Sequence, residues 1–117
     1  MVLSLEEIKD KVMSNSRVMI KFSADWCIPC KRIKCVCEGN FKTFNENGIE
    51  CLEIDIDEEM DFYMLLKRKK MVTSIPSLCY YYGEIDESNW FIPKEIYSGS
   101  KMQEVQEFFN KCEKLRE

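Results

Sequence analysis

Apolar positions recur along the chain with two different periods, and the changes between these periods predict the order of helices and strands. Near the start, Ser4 and Glu7 have the spacing of a helix capping box, which predicts a first helix ending at about Ser14. The stretch from Arg17 to Phe22 alternates apolar and β-branched residues, which predicts a strand. The chain is therefore expected to begin with a helix followed by a strand.

A second helix is expected soon after this strand, because Pro29 suits the first turn of a helix. This second helix should end near Gly48. The alternating segment from Cys51 to Ile56 predicts a second strand, and a third helix should run from Asp57 to about Arg68, with acidic residues in its first turn. The apolar residues of the second helix recur at helical spacing at Ile33, Cys37, Phe41 and Phe44.

Two further strands and a helix are predicted in the last third of the chain. Ser77 to Tyr82 is almost continuously apolar and aromatic, as expected for a strand buried on both faces, and a short strand follows at Glu95 to Tyr97. Ser100 and Gln103 predict a second capping box at the start of a terminal helix. One side of that helix should be lined by Met102, Val105, Phe109 and Cys112.

This alternation of helices and strands indicates an α/β fold, in which a mixed central β-sheet is flanked by helices on both faces. Its parallel connections should be right-handed crossovers. The 117 residues are an ordinary length for one domain, and the sequence contains no internal repeat and no linker. We therefore expect a single domain over residues 1–117.

Composition and charge exclude several classes of function. The chain has 17 basic and 21 acidic residues, a net charge of −4 and no histidine. It lacks the basic field that drives nucleic-acid binding, and it cannot use imidazole chemistry. No stretch approaches the roughly 18 apolar residues of a membrane helix. We expect neither a nucleic-acid partner nor a membrane partner.

The seven cysteines indicate a reducing environment. Their share of the chain is below that of a disulfide-built secreted scaffold, and the odd number leaves at least one thiol unpaired. The first residues also lack the cationic segment and apolar run of a secretory signal. We expect a cytoplasmic protein.

Two of these cysteines carry the candidate chemistry. Cys27 and Cys30, in the segment Trp26-Cys27-Ile28-Pro29-Cys30-Lys31, lie at a predicted strand-to-helix junction. Exposed N–H groups and the helix dipole at such a junction stabilise a thiolate. The two-residue gap keeps the sulfurs close enough to join, so Cys27 can attack an external disulfide and Cys30 can release the mixed disulfide.

At this point the chain resembles the thioredoxin family, over nearly its whole length and in order. The matching segments include the Cys27–Cys30 motif, the strand ending in Ile54-Asp55-Ile56-Asp57, Thr73-Ser74-Ile75-Pro76-Ser77, and Ser98-Gly99-Ser100. The resemblance implies the thioredoxin fold, reduction of protein disulfides, and a cis-proline at Pro76 that faces the active cysteines.

The resemblance also implies the partners and the substrate groove. Substrates would be disulfide-containing proteins, and electrons would come from a separate reductase. No tightly bound cofactor is required. The protein is expected to be a monomer. The backbone of Ile75 would pair with an extended substrate segment. The groove would be formed by Trp26, Ile28, Pro29, Ile75 and Pro76.

Three positions depart from the family pattern. Lys21 stands where the family usually has a buried carboxylate that assists proton transfer at the second cysteine, and Glu53, expected on the neighbouring strand, stands where some members have lysine. We hypothesise that this pair, with its charges exchanged, is a proton relay for Cys30; the alternative is an inert ion pair between two strands. Ile28 replaces the usual glycine, and Cys35 replaces a helix-kinking proline, which predicts a straighter second helix.

The remaining cysteines are more simply structural. Cys35 and Cys37 extend the motif to four cysteines, which could be interpreted as a zinc or iron–sulfur site. Residues two apart on a helix point about 200° from each other, so these two cannot easily converge on one metal with the first pair, and we expect no metal. We expect Cys37 to be a small core residue and Cys35 to be exposed. Core positions are also expected for Cys51, Cys79 and Cys112.

Two surface features remain open to more than one interpretation. The basic run Lys67-Arg68-Lys69-Lys70 is expected to be a solvated helix end, with contact to an acidic partner as the alternative. The long loop that contains Trp90 and Phe91 either covers the core or forms a partner patch.

The leading function is thus a thiol–disulfide oxidoreductase with Cys27 and Cys30 as its dithiol. A second possibility is a glutathione-dependent, glutaredoxin-like thiol transferase, against which Trp26 and Lys31 argue. A third is a non-catalytic thioredoxin-like interaction module, against which the intact cysteine pair argues.

Overall fold

The first helix is set by its N-terminal cap, as predicted. In a computed structural model that describes residues 3–116, helix α1 (Leu5–Ser14) begins after Ser4. The Ser4 hydroxyl accepts the Glu7 backbone N–H, and the Glu7 carboxylate accepts the Ser4 backbone N–H. Two of the orphan N–H groups at the helix start are thereby satisfied.

The described residues contain four strands: β1 (Arg17–Ser23), β2 (Glu50–Asp55), β3 (Ser77–Tyr82) and β4 (Glu95–Ser98). They form one mixed sheet in the order β2-β1-β3-β4. Strand β1 pairs in parallel with β2 and antiparallel with β3, and β3 pairs antiparallel with β4. The two most buried strands lie in the centre, which is why they are nearly continuous apolar runs.

Helices cover both faces of this sheet, which confirms the predicted fold class. They are α2 (Ile28–Arg32), α3 (Lys34–Glu46), α4 (Met60–Arg68) and α5 (Met102–Glu113), in addition to α1. One core joins α1 and α4 to the first face, and a second core joins α3 and α5 to the other. No helix within residues 3–116 is long and apolar enough to cross a membrane.

The second helix was predicted to run from Pro29 to near Gly48 and to be straighter than in the family, and the prediction of a continuous helix was wrong. The helix is interrupted at Ile33, whose φ of −103° and ψ of 6° leave the helical region, and a new helix starts at Lys34. Absence of a proline therefore does not make this helix continuous. Helix propensity is a weak preference that tertiary packing overrides, and Ile33 is fully buried in the core at the break.

The start of α5 also differs from the prediction. Lys101 is the capping residue and makes no side-chain cap, so Ser100 and Gln103 do not form a capping box. The Ser100 hydroxyl instead accepts a hydrogen bond from Arg32 at 3.3 Å. Met102 is exposed, and Phe108 joins the buried side of the helix in its place.

Helix α4 starts later than predicted and is covered by the long loop. It begins at Met60, because Glu59 is its cap and accepts the Phe62 backbone N–H, so the acidic residues before it form a turn. Trp90 is only 8% exposed and stacks on Phe62 with ring centroids 5.5 Å apart. The loop residue Trp90 therefore covers the core, in agreement with the first of the two interpretations above.

The end of the chain is tied to the centre of the sheet by Arg17 and Tyr80. Arg17 donates to the Tyr80 hydroxyl at 2.7 Å and to the backbone carbonyl of Glu113 at 2.7 Å. Tyr80 in turn donates to the carbonyl of Leu115 at 2.8 Å. The bond to Glu113 satisfies a carbonyl in the last turn of α5 that has no helical partner, and the bond to Leu115 holds the residues that follow the helix.

Candidate active site

Cys27 and Cys30 are held together at the junction between β1 and α2. They form a disulfide with their Cα atoms 5.2 Å apart. Cys27 caps α2, its sulfur accepts the backbone N–H of Cys30 at 3.1 Å, and its own N–H donates to the carbonyl of Ala24 at 3.1 Å. Local hydrogen bonds thus hold the first sulfur where it can join the second.

The disulfide between Cys27 and Cys30 is buried. Cys27 is 3% exposed and Cys30 is similarly buried. Both pack with Ala24, and the side chains of Ile56 and Ile75 lie against the group. A reacting sulfur from another molecule must therefore approach through the side chains that surround Cys27.

The segment around Pro76 lies beside the dithiol. The Ile75–Pro76 peptide bond is cis, Ile75 is partly exposed, and Pro76 is buried. The Pro76 carbonyl accepts the Gly99 N–H at 3.1 Å, and the Ser77 hydroxyl donates to the carbonyl of Ser74. These hydrogen bonds hold the residues around Pro76 in place, with the Ile75 side chain packed against the cysteine pair.

Two large apolar side chains flank Cys27 in the sequence and project into solvent. Trp26 is 63% exposed and Ile28 is 69% exposed, and Pro29 is exposed in the first turn of α2. The indole N–H of Trp26 donates to the carboxylate of Asp57 at 2.8 Å. Sequence reasoning missed Asp57 as a neighbour of the site, because the contact joins residues 31 positions apart in two loops.

Lys21 and Glu53 form the predicted pair. They are register partners on β1 and β2, and Lys21 Nζ lies 3.1 Å from Glu53 Oε2. The lysine side chain is 3% exposed and the glutamate side chain 54% exposed. Ser23 donates a further hydrogen bond to Glu53 at 3.3 Å. The buried ammonium thus has a counter-charge that reaches solvent.

A cleft of about 380 Å³ connects this pair to the second cysteine. Lys21 and Glu53 line it together with Cys30, and its other walls carry acidic side chains such as Glu58 and Glu59. The cleft therefore gives Cys30 a polar route to solvent.

The other five cysteines are not disulfide-bonded. Cys35 is exposed, as expected, and Cys37, Cys79 and Cys112 are buried, whereas Cys51 is only partly buried. Burial raises the pKa of Cys37 to about 11, although nearby Lys21 opposes the shift, and burial raises the pKa of Cys79 to about 12. Among residues 3–116, no three cysteine or carboxylate side chains are grouped so as to hold a metal ion.

Comparison with known sequences identifies one family. The family model described as Thioredoxin matches residues 1–110. Thioredoxin 1 of Plasmodium falciparum is 31% identical over 80 residues, which cover 68% of this chain and 71% of that protein. Thioredoxin-3 of Dictyostelium discoideum is 32% identical over 83 residues, which cover 68% of this chain and 70% of that protein.

Comparison with solved structures agrees on the fold. The structure of Plasmodium falciparum thioredoxin superposes with a TM-score of 0.72 at 24% identity, covering 94% of this chain and 95% of that one. The four-stranded mixed sheet and its flanking helices are therefore those of a known architecture.

Proposed function

Because this chain belongs to the thioredoxin family and is a thiol–disulfide oxidoreductase, we propose that Cys27 is its attacking nucleophile and Cys30 its resolving thiol. The observation that carries this assignment is the Cys27–Cys30 disulfide at the start of α2. In the family, the substrates are disulfide-containing proteins and a separate reductase supplies the electrons.

The reaction proceeds in two exchanges, each of which forms one S–S bond and breaks another. The Cys27 thiolate attacks one sulfur of the substrate disulfide and expels the other as a thiolate, which takes up a proton. The Cys30 thiol then loses its proton and attacks Cys27, which forms the Cys27–Cys30 disulfide and releases the second substrate thiol. Two electrons pass to the substrate, and the reductase returns them to the dithiol.

We propose that the Lys21–Glu53 pair accepts the proton that Cys30 loses when it attacks Cys27. Both side chains line the cleft that reaches Cys30, and the half-exposed Glu53 can exchange protons with solvent. Glu53, held by Lys21, or Lys21 in a transiently neutral form, would take the proton through a water molecule when Cys30 attacks. The competing interpretation is that Glu53 only compensates the buried ammonium.

The substrate groove consists of Trp26, Ile28, Pro29, Ile75 and Pro76. Trp26, Ile28 and Pro29 are exposed beside the dithiol, and Ile75 packs against it. An extended substrate segment would pair with the backbone of Ile75, so recognition would depend little on its side chains.

We propose that residues 1–117 form one domain and that the protein acts as a monomer in the cytoplasm. One sheet carries both cores, and all the groups assigned above come from one chain. The unbonded thiols, of which Cys35 is exposed, suit a reducing compartment.

A turnover assay on a disulfide-bonded protein tests the roles of the two cysteines. Wild type should catalyse reduction, Cys27→Ser should abolish it, and Cys30→Ser should accumulate a covalent adduct with the substrate. Supplying electrons through a thioredoxin reductase or through glutathione separates this function from that of a glutaredoxin-like transferase. Retained turnover in Cys27→Ser would remove the assignment.

A further inference from the structure

Four consecutive cations form the only dense basic run of the sequence. Lys67, Arg68, Lys69 and Lys70, here called the basic cluster, are all exposed. Each ion pair found among residues 3–116 joins other residues, so no carboxylate in this part of the chain lies within salt-bridge distance of the cluster. Outside the cluster, 13 basic residues stand against 21 acidic ones. Positive charge is therefore concentrated at one place on an acidic protein.

Stabilisation of α4 does not account for the whole cluster. Cations in the last turn of a helix interact favourably with its dipole, and Lys67 and Arg68 occupy that turn. The Lys67 ammonium also lies over the ring of Tyr63 at 5.8 Å. Lys69 and Lys70 follow the end of the helix, and Lys70 has a φ of 60° in the turn. Their charges add mutual repulsion without adding a contact that holds the fold.

The basic cluster is joined to the active site by the exposed face of α4. This helix begins next to the site, because Asp57 bonds Trp26 and Glu59, its cap, lines the cleft with Cys30. Its nine residues rise about 1.5 Å each, so the helix spans about 13 Å.

Met60, Met64 and Lys67 follow one another at spacings of four and three residues on this face, and all three are exposed. A surface stripe thus runs from an apolar end beside the active site to a cationic end.

We propose that this stripe docks the disulfide-bearing partner of the protein, through an apolar residue near the partner's disulfide and an acidic segment about 13 Å farther along. The proposal rests on the proposed reduction of protein disulfides at Cys27 and adds the partner's chemistry to it. Methionine side chains adapt to apolar residues of different shape, and the basic cluster supplies the charge complementarity.

An acidic protein segment fits the charge distribution better than a nucleic acid or a membrane does. The Debye length is about 8 Å at physiological ionic strength, so a short acidic segment on the stripe interacts mainly with the basic cluster. A polyanion or an anionic bilayer would extend beyond the cluster over a surface with an excess of carboxylates, which would repel it.

The test uses two synthetic peptides with the same cyclic disulfide and the same flanking apolar residue. One carries four glutamates spaced to reach the cluster, and the other carries four glutamines. The protein variants are Arg68→Gln/Lys69→Gln and the control Lys42→Gln/Lys114→Gln, which changes the net charge equally at two exposed lysines elsewhere. The readout is kcat/KM for reduction of each peptide at low and high salt.

We expect wild type and the control to favour the glutamate peptide by about three- to tenfold at low salt, and to lose this preference in high salt. The Arg68/Lys69 variant keeps Lys67 and Lys70, so its preference for the glutamate peptide should be clearly smaller than that of wild type and the control. Equal rates for the two peptides with wild type, or a preference as large in the Arg68/Lys69 variant as in wild type, would overturn the proposal. So would equal loss of preference in the control.

A binding measurement separates failure of docking from failure of the chemistry. Fluorescence anisotropy of the glutamate peptide, with both its cysteines replaced by serine, should show tighter binding to wild type and the control than to the Arg68/Lys69 variant. If the peptides bind in this way but are not reduced, the proposed function fails and the docking stands. Cluster-dependent sedimentation with phosphatidylserine vesicles, without peptide binding, would replace the proposal by a membrane contact.

Discussion

Lys21 and Glu53 face each other across β1 and β2 with Nζ and Oε2 3.1 Å apart, and only the glutamate side reaches solvent. A buried ammonium is costly without a partner, whereas a half-exposed carboxylate keeps much of its hydration. The two halves of this pair should therefore respond differently to substitution, and the difference separates a structural role from a role in proton transfer.

Glu53→Gln should lower the rate of disulfide reduction near neutral pH by about tenfold and change the shape of the pH profile, because Cys30 loses its proton acceptor. Lys21→Met should change the profile too. Stopped-flow reduction of a protein disulfide from pH 5 to 9 measures both. The control is Glu50→Gln, which breaks the neighbouring Lys11–Glu50 pair at 3.2 Å, outside the cleft. Profiles that superpose on wild type in both variants would leave the inert ion pair as the only role.

The same two variants should differ in stability. Glu53→Gln should cost about 1–2 kcal/mol in the free energy of unfolding, since it leaves the Lys21 ammonium buried without a counter-charge and solvent screens only the glutamate side. Lys21→Met should cost less than about 1 kcal/mol, since it removes that buried charge. Urea unfolding at pH 7 measures both values, and a larger loss in Lys21→Met would contradict this account.

The bond between Trp26 and Asp57 should matter for protein substrates and not for small ones. Asp57→Ala removes the carboxylate that accepts the indole N–H of Trp26 at 2.8 Å. The exposed ring then loses this restraint, and fixing it when substrate binds costs conformational entropy. We expect KM for a protein disulfide to rise about threefold, with little change for a small-molecule disulfide. Asp61→Ala, an exposed carboxylate in the first turn of α4, is the control. An equal effect of the two substitutions on KM would contradict the role assigned to the bond.

Trp90→Ala should destabilise the protein by about 3–4 kcal/mol, because it removes a buried aromatic side chain that stacks on Phe62. Ile92→Ala, in the same loop but exposed, should cost less than about 1 kcal/mol. Urea unfolding monitored by circular dichroism measures the difference. Similar small losses in both variants would show that the loop does not cover the core in solution.

Buried thiols should make the fold sensitive to alkali. Burial raises the pKa of Cys79 from 9.0 to about 12, so the folded state holds this proton after the unfolded chain has released it. Its contribution to stability is complete below pH 9 and is lost as the pH rises from 9 to 12, by at most about 1.4 kcal/mol per pH unit for one thiol. Unfolding free energies at pH 8 to 10.5 should therefore fall more steeply for wild type and the exposed-site control Cys35→Ala than for Cys79→Ala. Equal slopes would contradict the assignment.

Local signals were sufficient for much of the fold. The Ser4 capping box, the four strands and the end of α4 at Arg68 depend on residues close in sequence, and the structure confirms them. The pairing of Lys21 with Glu53 was also predicted, because the family resemblance supplied the register that connects two distant strands.

Contacts between distant segments account for the errors. Ile33 interrupts the helix where it enters the core, and Ser100 bonds Arg32 in place of its own helix. The Trp26–Asp57 bond joins two loops whose approach depends on the whole sheet. No spacing within a single segment could have indicated these three features.

The bonds of Arg17 and Tyr80 to the carbonyls of Glu113 and Leu115 bear on how the chain folds during its synthesis. All four strands leave the ribosome before α5, so they can pair while one face of the sheet is still uncovered. That face stays open to aggregation or to chaperones until Leu115 has emerged. The core on this face is therefore complete only when α5 and the residues that follow it are available to pack.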